Sequence, residues 1–396
     1  MQILLSTIFK YPHEGGLSTH ISTLKAGLEE LGHEVDVVSG SDFRGILDFL
    51  TIKAPSRLLN QLSLGKGQWF GDRRRSSLLF KKLKLVHENY DVINTQDIFA
   101  TLASRQLKTK TVQTIHGYYT FEAISRGAVD DGSSYAHKFK RSERYAYKTA
   151  DELVCVDQRL KQYVKHESGR EAFTIPNFIN THLFNVSNDQ VNSIANKHDI
   201  PIHKNLLLVP RRLTEKNGVI YPIKALKHVI QTNPNVCLIY AGSGEMTEEL
   251  KSLVKEENLG NYVKFLGSVP HEDMIALYKL SQIILIPSIH TKGVEEATSI
   301  AALEGMAAGK PVVASSIGGL KELIQHEYNG ILFEEKKIDD LTNHIIGLLN
   351  NREQANKLGE QAKEYVSQNH SHIQAAKNLL KCTLNKIIIA INLNIL

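Results

Sequence analysis

The sequence predicts an α/β protein made of two doubly wound parallel-sheet domains that face a central cleft. Three observations predict it. Length is the first: 396 residues exceed one ordinary core, so two domains of roughly 200 residues are expected. Alternation is the second: short apolar runs ending in polar or glycine residues recur, with helically spaced segments between them. The third is that this alternation starts afresh after Pro201.

In chain order, QILLST from Gln2 reads as the first strand, and Thr19 to Leu31 as a helix stopped by Gly32. HEVDVVSG, YDVINTQD, KTVQTIHG, DELVCVDQ and AFTIPN read as the strands that follow, with a helix over Tyr135 to Lys148. After Pro201 come the strand NLLLV, a helix over Tyr221 to Thr232, the strand NVCLIYA and a helix over Met246 to Glu257. YVKFLGSV, IILIPSI and PVVASS are three further strands. Ser299 to Met306 reads as a helix stopped by Gly309-Lys310-Pro311, and the strand after it should end in a Gly318-Gly319 turn. From Asp339 the pattern is helical to about Lys381. The expected division is therefore 1–185 for the first domain, 186–204 for a polar linker, 205–381 for the second domain and 382–396 for an apolar tail packed on the body.

Composition excludes several classes. A hydrophobic share of 42% and a charged share of 22% are globular values. Cys155, Cys237 and Cys382 show no paired spacing, so neither a disulfide framework nor a zinc site is expected. The first residues lack a basic leader and read as a strand rather than a secretion signal. No apolar run is long enough to span a bilayer. A reducing, cytoplasmic setting is expected, with peripheral contact at the inner membrane face as an extension. That extension rests on residues 43–88, where ten Lys or Arg meet three acids, a local excess of 10 − 3 = +7 against +5 for the whole chain. Apolar residues interleave these charges, including the only tryptophan, Trp69. The segment reads either as a solvated helical face or as a patch for an anionic membrane or acceptor. No nucleic-acid module accompanies it, so nucleic acid is not an expected partner.

The chemistry concentrates in KGVEEATSIAALEGMAAGKPVVASSIGG, residues 292–319. Glu296 precedes a helix and Glu304 lies inside it. A helix start with free amides suits a phosphate, and a carboxylate that accepts two hydrogen bonds suits a cis diol. A nucleotide sugar carries both. Glu304 is the candidate for the ribose hydroxyls, and Glu296 for hydroxyls of the donor sugar. The amides of Ala297, Thr298 and Ser299 are candidates for the diphosphate or sugar; Thr298 or Ser299 also suits a helix N-cap. Arg212 and Lys216 follow a strand that ends at Val209, where fixed cations would stabilise a departing diphosphate. Arg211 competes for that role, but Val-Pro-Arg-Arg-Leu puts Arg212 nearer the turn. Gly244 closes a strand in the same domain. In the first domain, Gly15-Gly16 between strand and helix permits close ligand approach. His116-Gly117 ends another strand, where the side chain suits a sugar hydroxyl and the backbone carbonyl suits a positive anomeric carbon. In such sheets, ligands bind outside the carboxyl ends of strands, where nearly all the candidates fall, Gly15-Gly16, Asp97, His116-Gly117, Asn177, Arg212, Gly242 to Gly244, Gly267, Pro287-Ser288 and Gly318-Gly319 among them. No D-x-D triplet occurs, so no metal is expected.

From the first glycine pair through IHG, IPNFIN, RRLTEKNG, AGSGEM, FLGSVPHEDM, IPS and E-x7-E to GG, the chain resembles the retaining glycosyltransferases of family 4. That resemblance implies the GT-B fold of two Rossmann-like domains. It implies that Glu304 binds the ribose, Glu296 the transferred sugar, and Arg212 with Lys216 the diphosphate. Gly16 would lie near the phosphates or acceptor, and His116 would contact the donor sugar. Three departures stand out: Ala297 follows the first acid where glycine is usual, Lys216 is followed by Asn217 rather than directly by glycine, and Phe178 follows Asn177. The expected activity is a metal-independent hexosyl transfer from a nucleotide-diphosphate sugar, UDP being favoured over ADP and GDP. The acceptor would be a cell-surface glycan or lipid-linked precursor. Two rivals stay open: a nucleotide-sugar epimerase of similar fold, and a non-catalytic sugar-nucleotide-binding protein. A nicotinamide enzyme is disfavoured because G-x-G-x-x-G is absent after the first strand.

Overall fold

The computed structural model describes residues 1–13, 16–40, 48–291 and 298–393, the stretch 385–393 as helix backbone alone. The chain forms two compact units. One comprises Met1–Asn177 together with the C-terminal segment from His372; the other comprises Phe178–Ser371. Each carries a six-stranded sheet in which every pairing between named strands is parallel.

The first unit runs β1 (Gln2–Thr7), α1 (Gly16–Glu30), β2 (Glu34–Ser39), α2 (Ala54–Leu62), α3 (Lys66–Val86), β3 (Val92–Thr95), α4 (Ile98–Ser104), β4 (Lys110–Ile115), α5 (Tyr119–Ser125), α6 (Ser134–Thr149), β5 (Glu152–Cys155), α7 (Gln158–Ser168) and β6 (Phe173–Thr174). Its strand order is β2-β1-β3-β4-β5-β6, so the winding reverses between β1 and β3. Its strands read as near-continuous apolar runs because helices cover both faces: Leu4, Leu5, Ile93 and Val112 are fully buried.

The second unit runs α8 (Asn188–Lys197), β7 (Asn205–Val209), α9 (Tyr221–Thr232), β8 (Val236–Ala241), α10 (Thr247–Glu256), β9 (Val263–Gly267), α11 (His271–Leu280), β10 (Ile283–Ile286), α12 (Ile300–Ala307), β11 (Val312–Ser315), α13 (Gly318–Leu323), β12 (Ile331–Phe333), α14 (Ile338–Asn350) and α15 (Arg352–Asn369). Its order is β12-β11-β10-β7-β8-β9, with the reversal between β10 and β7. Strand parity splits the core: Leu206 and Leu208 enter one apolar cluster, Leu207 and Val209 the other.

Three expectations change. Residues 186–204 are not a linker, because they contain α8. Ser187 and Gln190 close a capping box at its start. At its end Lys197 Nζ and His198 Nε2 both reach Asp273 Oδ2 on α11, at 2.8 and 2.7 Å. The helix reads as polar because only Ala195 is buried. The tail expected from residue 382 is likewise not a separate element as far as Leu393: one helix, α16, runs over His372–Leu393, and Cys382 and Thr383 on it are buried. Finally, Gly318-Gly319 opens α13 rather than making a plain turn, and the three-residue β12 follows without a local sequence signal.

The return of α16 to the first unit depends on close contact with α1. A Cβ placed on Gly27 would lie 2.4 Å from the carbonyl oxygen of His372, and His372 Nε2 meets Glu30 Oε1 at 2.9 Å. Gly27→Ala therefore forces two helix backbones apart. A strained insertion of this size costs about 1–3 kcal/mol. Differential scanning calorimetry should show Tm lowered by roughly 2–10 °C; an unchanged Tm would mean the helices do not touch there.

Candidate functional site

In the second unit the site residues gather where the strand order reverses, beyond the carboxyl ends of β7 and β10. The loop after β7 carries Arg211, Arg212 and Lys216, and ends at Gly218 with φ +61°. A Cβ there would lie 1.7 Å from the Pro287 carbonyl oxygen, so only glycine lets this loop press against the end of β10. The neighbouring loop after β8 is laced to it: Leu213 N donates to Ser243 O at 3.0 Å, and Met246 N donates to Leu213 O at 2.9 Å. Gly244 is required by this approach, since a Cβ would lie 2.3 Å from Leu213 O. Its role in the chain alone is thus loop packing.

The two adjacent arginines take different places. Arg211 is half-buried and turns inward. Its Nη1 donates to Ser288 Oγ at 3.0 Å and to Ser299 Oγ at 3.4 Å, and its Nη2 donates to Asn217 Oδ1 at 2.8 Å. One guanidinium thereby ties together the ends of β7 and β10 and the start of α12. Arg212 is exposed, and among the described residues its backbone carbonyl rather than its side chain is engaged, by Asn217 Nδ2 at 2.7 Å. Lys216 is also exposed, within a single 3-10 turn, while its carbonyl accepts from Ile289 N at 2.9 Å. Arg211 and Ser288 stand where the sequence points, at the double arginine and at the Pro287-Ser288 strand end, whereas no local pattern singles out Asn217, which meets Arg211, or Tyr278, which meets Glu304.

Ser299 is the N-cap of α12 and accepts from Ala302 N. Thr298 immediately precedes it. Glu304 is the fifth residue of α12, 9% exposed. The buried Tyr278 hydroxyl donates to its Oε2 at 2.8 Å, and His271 Nδ1 lies 3.5 Å from Oε1. Burial raises the Glu304 carboxyl above its ordinary range, and His271 and Tyr278 oppose that rise. Lone pairs remain on both oxygens for further donors. Glu296 and Ala297 lie outside the described residues, as does Gly15.

In the first unit the reversal lies between β1 and β3. Asp97 is spent structurally there: it accepts from Thr7 Oγ1 at 2.8 Å, Ile8 N at 2.9 Å and Ala100 N at 2.7 Å, pinning α4 to β1. Gly16 is the exposed first residue of α1, and nothing among the described residues would meet a Cβ there. Packing therefore does not demand glycine at 16.

His116 is held by a directional relay. Asn94 Nδ2 faces the Val112 carbonyl at 3.0 Å, which can only accept, so the amide orientation is fixed. Asn94 Oδ1 must then accept, and it does so from Gln96 Nε2. Gln96 Oε1 is left as acceptor, 2.9 Å from His116 Nε2. That nitrogen therefore carries the proton, and Nδ1 keeps its lone pair. The His20 ring packs edge-on at 4.4 Å, and burial depresses both imidazoles, His116 to about 4. With a folded value below the ordinary 6.5, His116 is neutral above pH 5; the stability it contributes is complete above 6.5 and is lost as pH falls toward 4. Two-dimensional NMR should find the Nε2–H tautomer and no titration of the ring between pH 5 and 8. A midpoint near 6.5 would break the relay.

The two six-stranded doubly wound units define a GT-B protein. The structure resembles that of Anabaena Alr3699/HepE in complex with UDP, with a TM-score of 0.69 at 20% identity over 98% of this chain and all of that one. Residues 14–183 match the family described as Glycosyltransferase Family 4, and residues 190–365 match Glycosyl transferases group 1. An uncharacterized glycosyltransferase of Methanocaldococcus jannaschii is 30% identical over 356 residues, 86% of this chain and 87% of that one. An Escherichia coli UDP-Gal:alpha-D-GlcNAc-diphosphoundecaprenol alpha-1,3-galactosyltransferase is 26% identical over 283 residues, 68% of each chain. The chain belongs to family 4 of the glycosyltransferases.

Proposed function

We propose that the protein transfers a hexosyl group from a UDP-sugar to a glycan or lipid-linked acceptor, with retention of anomeric configuration and without a metal. The observation that carries this reading is the corner beyond β7 and β10. There a buried carboxylate, Glu304, shares α12 with a capped N-terminus, and three cations sit on the adjoining loop. A carboxylate for ribose hydroxyls and cations for a diphosphate are the two ends of a nucleoside diphosphate. The UDP complex of the Anabaena protein and the UDP-Gal donor named for the Escherichia coli relative favour uridine; that relative's diphosphoundecaprenol-linked acceptor favours a lipid-linked one.

In this reading the bond between the anomeric carbon and the β-phosphate oxygen breaks, and its electron pair leaves with UDP. The acceptor oxygen attacks from the same face and gives its proton to the departing phosphate. Lys216 and Arg212, both exposed toward solvent in the free protein, turn onto the diphosphate as its charge develops. Arg211 keeps its bonds to Ser288, Ser299 and Asn217 and holds the loop in register. Nδ1 of neutral His116 accepts from a hydroxyl of the donor sugar. Ser299, with the amides of α12, neighbours the diphosphate, and Thr298 with it; by resemblance, Glu296 and Ala297 serve the donor sugar and Gly16 the phosphates or acceptor.

Isothermal titration with UDP tests the ribose role: Glu304→Ala should weaken binding about 10–100-fold, the loss of charged hydrogen bonds. An unchanged Kd would remove Glu304 from the site. Lys216→Ala should lower kcat more than it raises the donor KM, because its charge acts on the leaving group. Parallel changes in both would reduce it to a binding residue. Full turnover in EDTA is expected, and loss of turnover would refute metal independence. Epimerised donor released without acceptor would favour an epimerase; UDP binding with no transfer or hydrolysis across acceptors would favour a binding protein.

A further inference from the structure

Among the described residues no helix is long and apolar enough to cross a membrane. The first unit nevertheless has a surface built for lipid. Between α3, α4 and α6 lies an open groove of about 660 Å³, within the size range of small-ligand sites. Its floor is apolar: Trp69, Phe80, Phe99 and Leu102. Trp69 is set edge-on against Phe99 and Phe139, with centroids at 6.0 and 5.2 Å, so the floor is rigid. Ser76 Oγ donates to Phe99 O at 2.8 Å and fastens α3 to α4 beneath it.

The rim is cationic. Arg73, Lys81, Arg105, Lys138 and Arg141 line the groove, and no Asp or Glu does. Among the described residues none of these five pairs with a carboxylate. Three lie against rings instead: Arg73 over Trp69 at 5.8 Å, Arg105 over Tyr145 at 5.0 Å and Lys138 over Tyr135 at 4.3 Å. The contrast lies on one helix. Lys140 and Arg144 of α6, turned toward α7, both bind Glu167 at 3.3 and 2.6 Å. The α6 cations turned toward the groove are left without an acid. Like charges gathered round an apolar floor repel one another unless an anion joins them, and the floor is best covered by hydrocarbon.

A second observation, on a neighbouring helix, favours a bilayer as the source of that anion. Helix α2, just ahead of α3 in the same unit, buries no residue and exposes Leu58 and Leu62 at 63% and 75%. Two leucines four apart on one helical face, with Arg57 beside them, suit the interfacial zone of a bilayer rather than a soluble ligand. We propose that the first unit docks on an anionic bilayer, with one phospholipid seated in the α3–α4–α6 groove, its chain on the aromatic floor and its phosphate among the rim cations. This deepens the lipid-linked acceptor reading by giving the enzyme a place at the membrane.

Trp69 is the only tryptophan, so its fluorescence reports on the groove directly. Vesicles of phosphatidylglycerol with brominated chains should quench it, and brominated phosphatidylcholine should not. Raising salt should weaken the effect. The double variant Arg73→Glu/Arg141→Glu should need at least tenfold more phosphatidylglycerol for half-quenching. Leu58→Ser/Leu62→Ser should weaken vesicle binding while leaving quenching by a monomeric short-chain brominated phosphatidylglycerol intact. Sedimentation with the vesicles but without quenching would overturn the groove, as would charge-reversed protein that binds like the wild type. Stabilisation of each variant by UDP, read as a Tm shift, shows that it is folded. That readout is independent of lipid: its failure in the wild type would count against the donor site and not against the groove.

Discussion

Burial of both faces of each parallel sheet is the constraint behind the rest of the structure. Leu206 through Val209 on β7 and Ile283 through Ile286 on β10 are all 0–1% exposed. Such strands have no room for polar chemistry along their length. Functional groups are pushed to the strand ends, and the reversal of winding opens the carboxyl end between β7 and β10. Arg211 is the side chain that turns this opening into a defined corner. Its guanidinium joins Ser288, Ser299 and Asn217, so that the loop after β7, the end of β10 and the start of α12 share one charged clasp. A planar fork with several fixed donors can do this, whereas a lysine ammonium cannot span the same three acceptors with the same directionality.

The two units solve opposite electrostatic problems. In the second, cations stand at the rim of the corner, and a carboxylate is kept buried beside Tyr278 and His271. In the first, a set of neutral polar groups at the ends of β3 and β4 orient one another. Val112 O, Asn94, Gln96 and His116 form a chain whose direction is set at one end by a carbonyl that can only accept. A neutral imidazole with its lone pair on Nδ1 is an acceptor for hydroxyl groups and adds no charge of its own. The basic character of the first unit is displaced to the outer helices, where it rings an apolar groove.

Much of the fold was legible because parallel strands are short, continuous and apolar, and because glycine or polar residues end them. Helices Tyr221–Thr232 and Ser134–Thr149 followed the same logic. The errors have physical causes. α8 buries only Ala195, so its amphipathic signal is weak and it reads as linker. β12 has three residues, too few for any periodicity. The C-terminal helix shows its own helicity but not the unit it joins. That depends on Gly27 and His372, residues far apart in the chain whose backbones nearly touch.

The sequence by itself determined the strand-and-helix alternation, the two sheets, the family, and the chemistry-bearing loops, because each is written in local composition and spacing. The tertiary structure alone decided which of two adjacent arginines faces inward, which nitrogen of His116 carries the proton, and that Asp97 serves as a clasp. Those outcomes depend on partners such as Ser288, Gln96 and Thr7, which local spacing does not bring together. A side chain's direction at a strand end is set by the neighbouring strand and loop it meets, and only the folded sheet brings these into reach.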